Sequence, residues 1–477
     1  MGTGGKALET PHHPDVQDPE EIPEQYDQQQ KAQQRLIGIL ISTVHQFFGS
    51  FPGLFAGVTD VRNPRKVTYP LASLAFSGVL LFLFRIGARR QIGLLLRNGP
   101  SVAMFHALFG VDSFPHGDTM DDAFAKLDTD QVQDVVSSMT EDLIRHKVLY
   151  PYRLMERFFV VAVDGTGIVT YHQRHCAHCL TRTHNGIPLY YHNVLEAKLV
   201  TTNGFAFSLM SEFIENSGET LSKQDCELKA FYRLAKRLKN RFPRLPILLS
   251  MDGLFAGGPT FSLCRDYGWK FMIVLKDHDL PALNEEFTAL TKLQPHHQCV
   301  ARIGRGAEVK QTFQWVDEIA YMDTTRTEHC VSVIECLETK PDTQGKEKAT
   351  KFKWVTNTRI SANNVASLAN QGGRLRWKIE NEGFNVQKNG GYDLEHAYTT
   401  DVTSAKVFYF LLQIAHMLAQ LIEKGSLFKT AFPAGFGSSK NLSFCLLEAW
   451  RNTRSVQQVI TAALRVRLQI RFSCDSS

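Results

Sequence analysis

The longest apolar run of this chain is too short to cross a bilayer as a helix. The longest apolar run, TYPLASLAFSGVLLFLF, ends at Phe84 and is followed at once by Arg85. It falls short of the roughly 20 residues a spanning helix needs and reads as a buried core helix. Cysteine is sparse: nine in 477 residues, odd in number and scattered. With no secretory signal opening the chain, free thiols in a reducing cytoplasm are expected. No periodic repeat stands out. A strong charge of one sign is also lacking. The net +5 permits a nucleic-acid partner without demanding one. Large apolar residues are scarce over residues 1–32, a segment rich in Gln, Glu, Asp, Pro and His. Such a segment cannot bury enough surface to offset its ordering entropy, so a disordered tail is expected there.

What is present is ordinary for a globular protein: 43% hydrophobic and 21% charged residues, in a chain long enough for two to four domains. Residues 33–150 carry helical patterns, beginning with RLIGILISTVHQFFGSF. Asp118 or Thr119 is an expected N-cap for TMDDAFAKL, and Asp130 an expected start for a helix to His146. Arg62, Arg65, Lys66, Arg85, Arg89 and Arg90 fall in loops and at helix ends. They fit solvated helix termini or a DNA-contacting helical domain, and basic clustering alone does not decide between them.

From 151 to 277 the pattern changes. Phe158 to Val163 is an apolar run that ends at Asp164, with Gly165 and Gly167 after it, and reads as a buried strand. IPLYYHNVLEAKLVT and GFAFSLMSEFI follow as two more strands joined by a TNG turn. An amphipathic helix spans about 222–241, with Phe231, Leu234 and Leu238 on one side. PILLSM is a fourth strand ending at Asp252; a helix and the strand WKFMIVLKD follow. This order is that of an RNase H-like α/β fold, a mixed sheet flanked by helices, in which the first and fourth strands lie side by side and bring Asp164 next to Asp252. Residues 278–351 read as a mostly β insertion, 352–425 as the second part of the core, and 426–477 as a helical tail with a basic cluster of Arg465, Arg467 and Arg471.

The chain is organised around RLRWKIENEGFNVQK, 374–388, read as one helix. Arg376 stands four residues before Glu380, so both share a face. Glu382 turns nearly opposite and reads as structural. Asp393 and Glu395 lie past a Gly-Gly break, and Asp277 reads as a turn residue. If the fold gathers Asp164, Asp252 and Glu380, three carboxylates form an oxygen site suited to magnesium. The alternative for the two aspartates is a capping role at a strand end.

HQRHCAHCLTRTH holds Cys176 and Cys179 in Cys-x-x-Cys spacing, with His172, His175, His178, His184 and His192 around them. This is half of a zinc site, and histidines must complete it; Cys176, Cys179, His175 and His184 are the candidate ligands. An exposed hairpin loop with a polar cluster is the competing reading, with Thr181, Arg182 and His184 touching DNA.

The combination of DGT at the end of a first strand, MDG at the end of a later one, a β insertion and RWKIENEGFN on a following helix resembles the DDE transposases of bacterial insertion sequences. The resemblance covers about residues 157–425 and is narrower for the branch with a β insertion before the glutamate. It implies metal-dependent DNA strand cleavage and strand transfer at terminal inverted repeats. Asp164, Asp252 and Glu380 would hold two magnesium ions, with manganese able to substitute. The partners implied are terminal-repeat and target duplex DNA, and a homodimer in the synaptic complex. Arg376 matches the signature arginine that holds a phosphate near the scissile bond. The signature tyrosine place is Gly373 and the lysine place Gln387, with Lys388 one position later and able to reach a phosphate. Two other functions fit part of the pattern: a transposase-derived DNA-binding protein without catalysis, and an RNase H-like structure-specific nuclease.

Overall fold

The computed structural model describes residues 21–216, 224–304, 306–341, 346–465 and 469–473. A single ten-stranded mixed sheet runs through it. Its strands are β1 (Phe159–Tyr171), β2 (Leu180–His184), β3 (Ile187–Val200), β4 (Ala206–Ile214), β5 (Ile247–Met251), β6 (Lys270–Val274), β7 (Gln298–Ile303), β8 (Val309–Met322), β9 (Glu328–Pro341) and β10 (Glu347–Thr356). β1 is central. It pairs antiparallel with β3, whose far edge carries β4 and then β2, and parallel with β5, which pairs parallel with β6. Beyond β6 the sheet continues antiparallel through β10, β9, β8 and β7.

β1 explains its own place. FVVAV is buried throughout, as a strand covered on both faces must be. Its odd residues Phe159, Val161 and Val163 join the larger core, shared with Phe231, Leu234 and Leu238 of the Glu227–Arg241 helix. Its even residues Val160 and Ala162 join a second core with Leu248, Met272, Leu368, Leu375 and Ile379. The sheet thus separates two helical layers, and the residues that follow Val163 emerge at its rim. The apolar run before Phe84 is the buried helix expected, Leu71–Leu83. Among the described residues, one helix is long and apolar enough to cross a membrane, Val402–Lys424; 89% of its apolar window is buried inside the protein.

Several expectations need correction. A helix runs from Glu21 to Phe48, so the tail does not extend to residue 32; residues 1–20 lie outside the described part. The first-region helices pack on Val402–Lys424, Ser439–Asn452 and Val456–Arg465 within one continuous core, because each buries an apolar face that the others supply. The 33–150 and 426–477 regions therefore do not form separate bodies. The expected insertion boundary at 351 falls inside β10, and the insertion strands extend the main sheet. His116 caps Gly117–Phe124, and Asp128 caps Thr129–Arg145 by accepting from Asp130 N. Both starts shift because the cap lies outside the first helical turn.

The stretch 374–388 is helical but not one regular α-helix. A 3₁₀ turn at Arg374–Arg376 leads to a π turn at Ile379–Phe384 and an α turn at Asn385–Asn389. Ahead of it, Leu368–Gly373 is also a π turn. Gly372 and Gly373 let this rod approach the sheet: a Cβ on Gly373 would stand 2.6 Å from Trp354 Nε1. Ser250 Oγ, from β5, donates to Gly372 O at 2.8 Å, satisfying a carbonyl at the irregular turn. Turns of this kind recur where a helix carries a functional side chain.

Candidate functional site

Asp164 sits where β1 leaves the core. One carboxylate oxygen accepts from Gly165 N at 3.0 Å, and the other takes the Arg376 guanidinium at 3.0 Å. Asp252 ends β5. The parallel register pairs Ala162 with Ser250, so two residues further on Asp164 and Asp252 stand level. Asp252 caps the short turn Gly253–Phe255 by accepting from Leu254 N at 3.0 Å. Each aspartate thus has the local capping role expected of a strand-end carboxylate; the second oxygen of Asp164 is held by Arg376.

Glu380 is exposed on the π turn of the helical rod, which packs on β1. Its charge reaches Asp164. Burial raises the Asp164 carboxyl above the usual carboxylate range; Arg376 opposes this, while Asp252 and Glu380 add to it. Asp252 from β5 and Glu380 from the rod therefore both act on Asp164 at the end of β1. Arg376 and Glu380 do not pair with each other, since the arginine turns to Asp164.

A fourth carboxylate lies there that the sequence reading missed. Glu227 opens the Glu227–Arg241 helix in the opposite layer. A Cβ on Gly165 would stand 2.6 Å from the Glu227 carboxyl carbon, so the glycine leaves the place that this side chain fills. Burial, then the charges of Asp164 and Asp252, raise the Glu227 carboxyl. The available signal was Gly165, placed directly after a candidate acid.

The other residues sort clearly. Glu382 pairs with Lys378 at 2.9 Å and lies by Gly204, away from the acids, as its helix position implied. Asp277 pairs with Lys353 at 3.2 Å at the end of β6. Glu395 pairs with Lys388 at 3.0 Å, so Lys388 is held by an acid rather than left open. Gln387 is buried and bonded to Gln413 and His416, out of reach of any external ligand. Trp354 fills the space a tyrosine at Gly373 would need. Of the basic residues in the first region, Arg62 pairs with Asp60 and Arg89 with Asp121, while Arg85 lies over the Tyr392 ring. Arg467 lies outside the described residues, and Arg471 bonds to Gln469. Next to the acids, a cleft of about 600 Å³ is lined by Asp252, Lys276, His278, Lys351, Arg376 and Trp377. Trp377 is 53% exposed.

The cysteine motif forms a second cluster farther along β1 and β3. Cys176 Sγ lies 3.5 Å from Cys179 Sγ, and both sulfurs approach His192 Nε2, at 3.4 and 3.3 Å. His175 offers a further nitrogen to Cys176 and His192. His184 is not part of it. It ends β2 in the hairpin facing Ile187, exposed and beside Asn185. The strand pairing of 180–184 carries it away from the cysteines, while His192 on β3 comes to them.

Compared with known proteins, the chain matches no family model and no curated protein.

Proposed function

We propose that the protein is a DDE-type DNA transposase, cutting DNA at the terminal inverted repeats of an insertion sequence and joining the ends to target DNA. The observation that carries the proposal is the gathering of Asp252 and Glu380 around Asp164, on which both charges act, beside a cleft that Asp252 and Arg376 line. The core strand order supports an RNase H-like reading. In the sheet, β4, β3, β1, β5 and β6 stand side by side, with the first three antiparallel and the last two parallel to β1.

The residues fit a pair of magnesium ions. Several carboxylates crowd together with one arginine as counter-charge, and oxygen donors are what this cation takes. Asp164, Asp252 and Glu380 would hold the ions, with Glu227 as a further oxygen donor. Bound there, magnesium supplies a clamp on the attacking and leaving oxygens of an in-line phosphodiester displacement. The chain's own residues do the positioning. Arg376 neutralises Asp164 in the free protein and is placed to move to a DNA phosphate, which it can hold with two parallel hydrogen bonds. In this reading Lys276 lines the path of the backbone, and the exposed Trp377 face offers a base a stacking surface. The partners are duplex DNA and, in the synaptic complex, a second copy of the chain.

The test is incubation of purified protein with labelled DNA taken from the flanks of its gene, with magnesium or manganese. Nicks with 3'-hydroxyl ends followed by joined products are expected. No cleavage with either metal overturns the proposal; cleavage without joining would move it to an RNase H-like nuclease.

A further inference from the structure

The Cys/His cluster has no part in the proposed chemistry, and its geometry is that of a metal site. We propose that Cys176, Cys179, His192 and His175 bind one zinc ion, a structural clip that fixes the outer end of β1 and β3.

A tetrahedral zinc, with bonds of about 2.3 Å to sulfur and about 2.0 Å to nitrogen, holds its ligand atoms about 3.3 to 3.8 Å apart. The three atoms Cys176 Sγ, Cys179 Sγ and His192 Nε2 form a triangle with sides of 3.5, 3.4 and 3.3 Å. Hydrogen bonding explains this triangle poorly. An imidazole nitrogen has one proton or one lone pair, yet two sulfurs converge on it, and they also converge on each other. A disulfide does not explain it, because the S–S bond length is about 2.0 Å. The fourth position has a claimant. The ligand nitrogen of His175 lies within 4.8 Å of Cys176 Sγ and His192. Separately, His175 Nδ1 is buried without a hydrogen-bond partner, a cost that binding a metal would remove. The His175 ring stacks on Tyr171 at 4.7 Å, which holds it near the cysteines.

Four protein ligands leave no open position for water or substrate, so the site is structural. Its reach extends toward the acids. Asn216 donates to Cys179 O at 2.8 Å, its own carbonyl accepts from His178, and Gln224 pairs with Thr181 through its side-chain amide. Residue 224 lies just before the helix that Glu227 opens. An ion here ties the 172–184 hairpin, β3 and the approach to that helix into one unit.

The test is elemental analysis of the full-length protein, purified without chelator from zinc-supplemented culture. One zinc per chain is expected. Cys179→Ser and His192→Gln should each lower zinc affinity at least tenfold, and His175→Gln should weaken it by a smaller factor. His184→Gln should bind zinc like the parent. Circular dichroism on each variant separates metal loss from unfolding. Should the cysteine variant be insoluble, cobalt added to chelator-stripped parent protein must give the absorption of a tetrahedral site with two thiolates. A zinc-free parent protein, full zinc retention in His192→Gln, or Cys176 and Cys179 found joined as a disulfide would each overturn the proposal. None of these readouts depends on DNA cleavage, so this proposal and the transposase reading can fail separately.

Discussion

Two clusters of ligand-type side chains share β1, and they are built in opposite ways. The acid cluster draws Asp164, Asp252, Glu380 and Glu227 from four elements spread along the chain; they repel one another, and Arg376 is the counter-charge paired with Asp164. The Cys/His cluster comes from one hairpin, its atoms at near contact distance and its outer groups tied by backbone hydrogen bonds. The first offers hard oxygen donors beside an open cleft; the second offers soft sulfur and imidazole donors close together. The difference teaches that nearness of ligand residues along a chain marks a site that braces a fold. A site meant to act on a ligand needs walls that only distant segments can provide.

The largest expected effect separates the clusters outright. Asp164→Ala, Asp252→Ala and Glu380→Ala should each reduce DNA cleavage by at least about a thousandfold, the several kcal/mol a two-metal clamp supplies. Zinc content should stay at the parent level in all three. Full activity in Glu380→Ala would remove the rod from the site.

Arg376→Gln tests the counter-charge. Affinity for terminal DNA, measured by fluorescence anisotropy, should fall about tenfold, the worth of one charge-assisted contact. Magnesium should bind the free variant at least as well, since Asp164 loses its competing partner. Weaker magnesium binding would show that the arginine supports the acids rather than occupying their place.

Gly165→Ala is a smaller and more local change. The atoms nearest the new methyl belong to the flexible end of Glu227, so thermal stability should fall by about 1 kcal/mol or less. Cleavage should fall nonetheless, about tenfold if one charged oxygen donor is displaced, and adding Glu227→Ala should cause no further loss. Additive losses would place Glu227 outside the site.

The smallest effect concerns the polar core under the rod. His416 is fully buried against Gln387 and Gln420, and burial holds its imidazole well below the usual range. Unfolded, it takes up a proton near pH 6.5; folded, it does so only at much lower pH. Between those values the unfolded state binds more protons, so stability is complete above about pH 6.5 and falls by roughly 1.4 kcal/mol per pH unit below it. His416→Gln should flatten this part of a denaturation-against-pH curve. The same acid slope in the variant would assign it to other groups.

Much of the frame could be read from local pattern. FVVAVDG and ILLSMDG are apolar runs cut off by an acid and a glycine, and burial of a central strand requires the first while a rim permits the second. The run before Phe84 and the residues Phe231, Leu234 and Leu238 were legible for the same reason. Glu227 was not, because its place depends on a missing Cβ four elements earlier. His192 was confused with His184 because which histidine meets the cysteines depends on the β2–β3 register, and an exposed hairpin has no apolar alternation to reveal it. The caps were misplaced by two or three residues, since Asp, Thr and His compete for such positions on small energy differences.

By itself the sequence determined which segments must be buried and which acids stand at their ends, because hydrophobic periodicity and chain breaks act over a few residues. The strand order already set β1 beside β5; only the tertiary structure decided that Glu227 joins Asp164, that π turns press the rod onto the sheet, and that the terminal helices share one core. These depend on contacts between segments far apart in the chain, whose energies no local pattern carries.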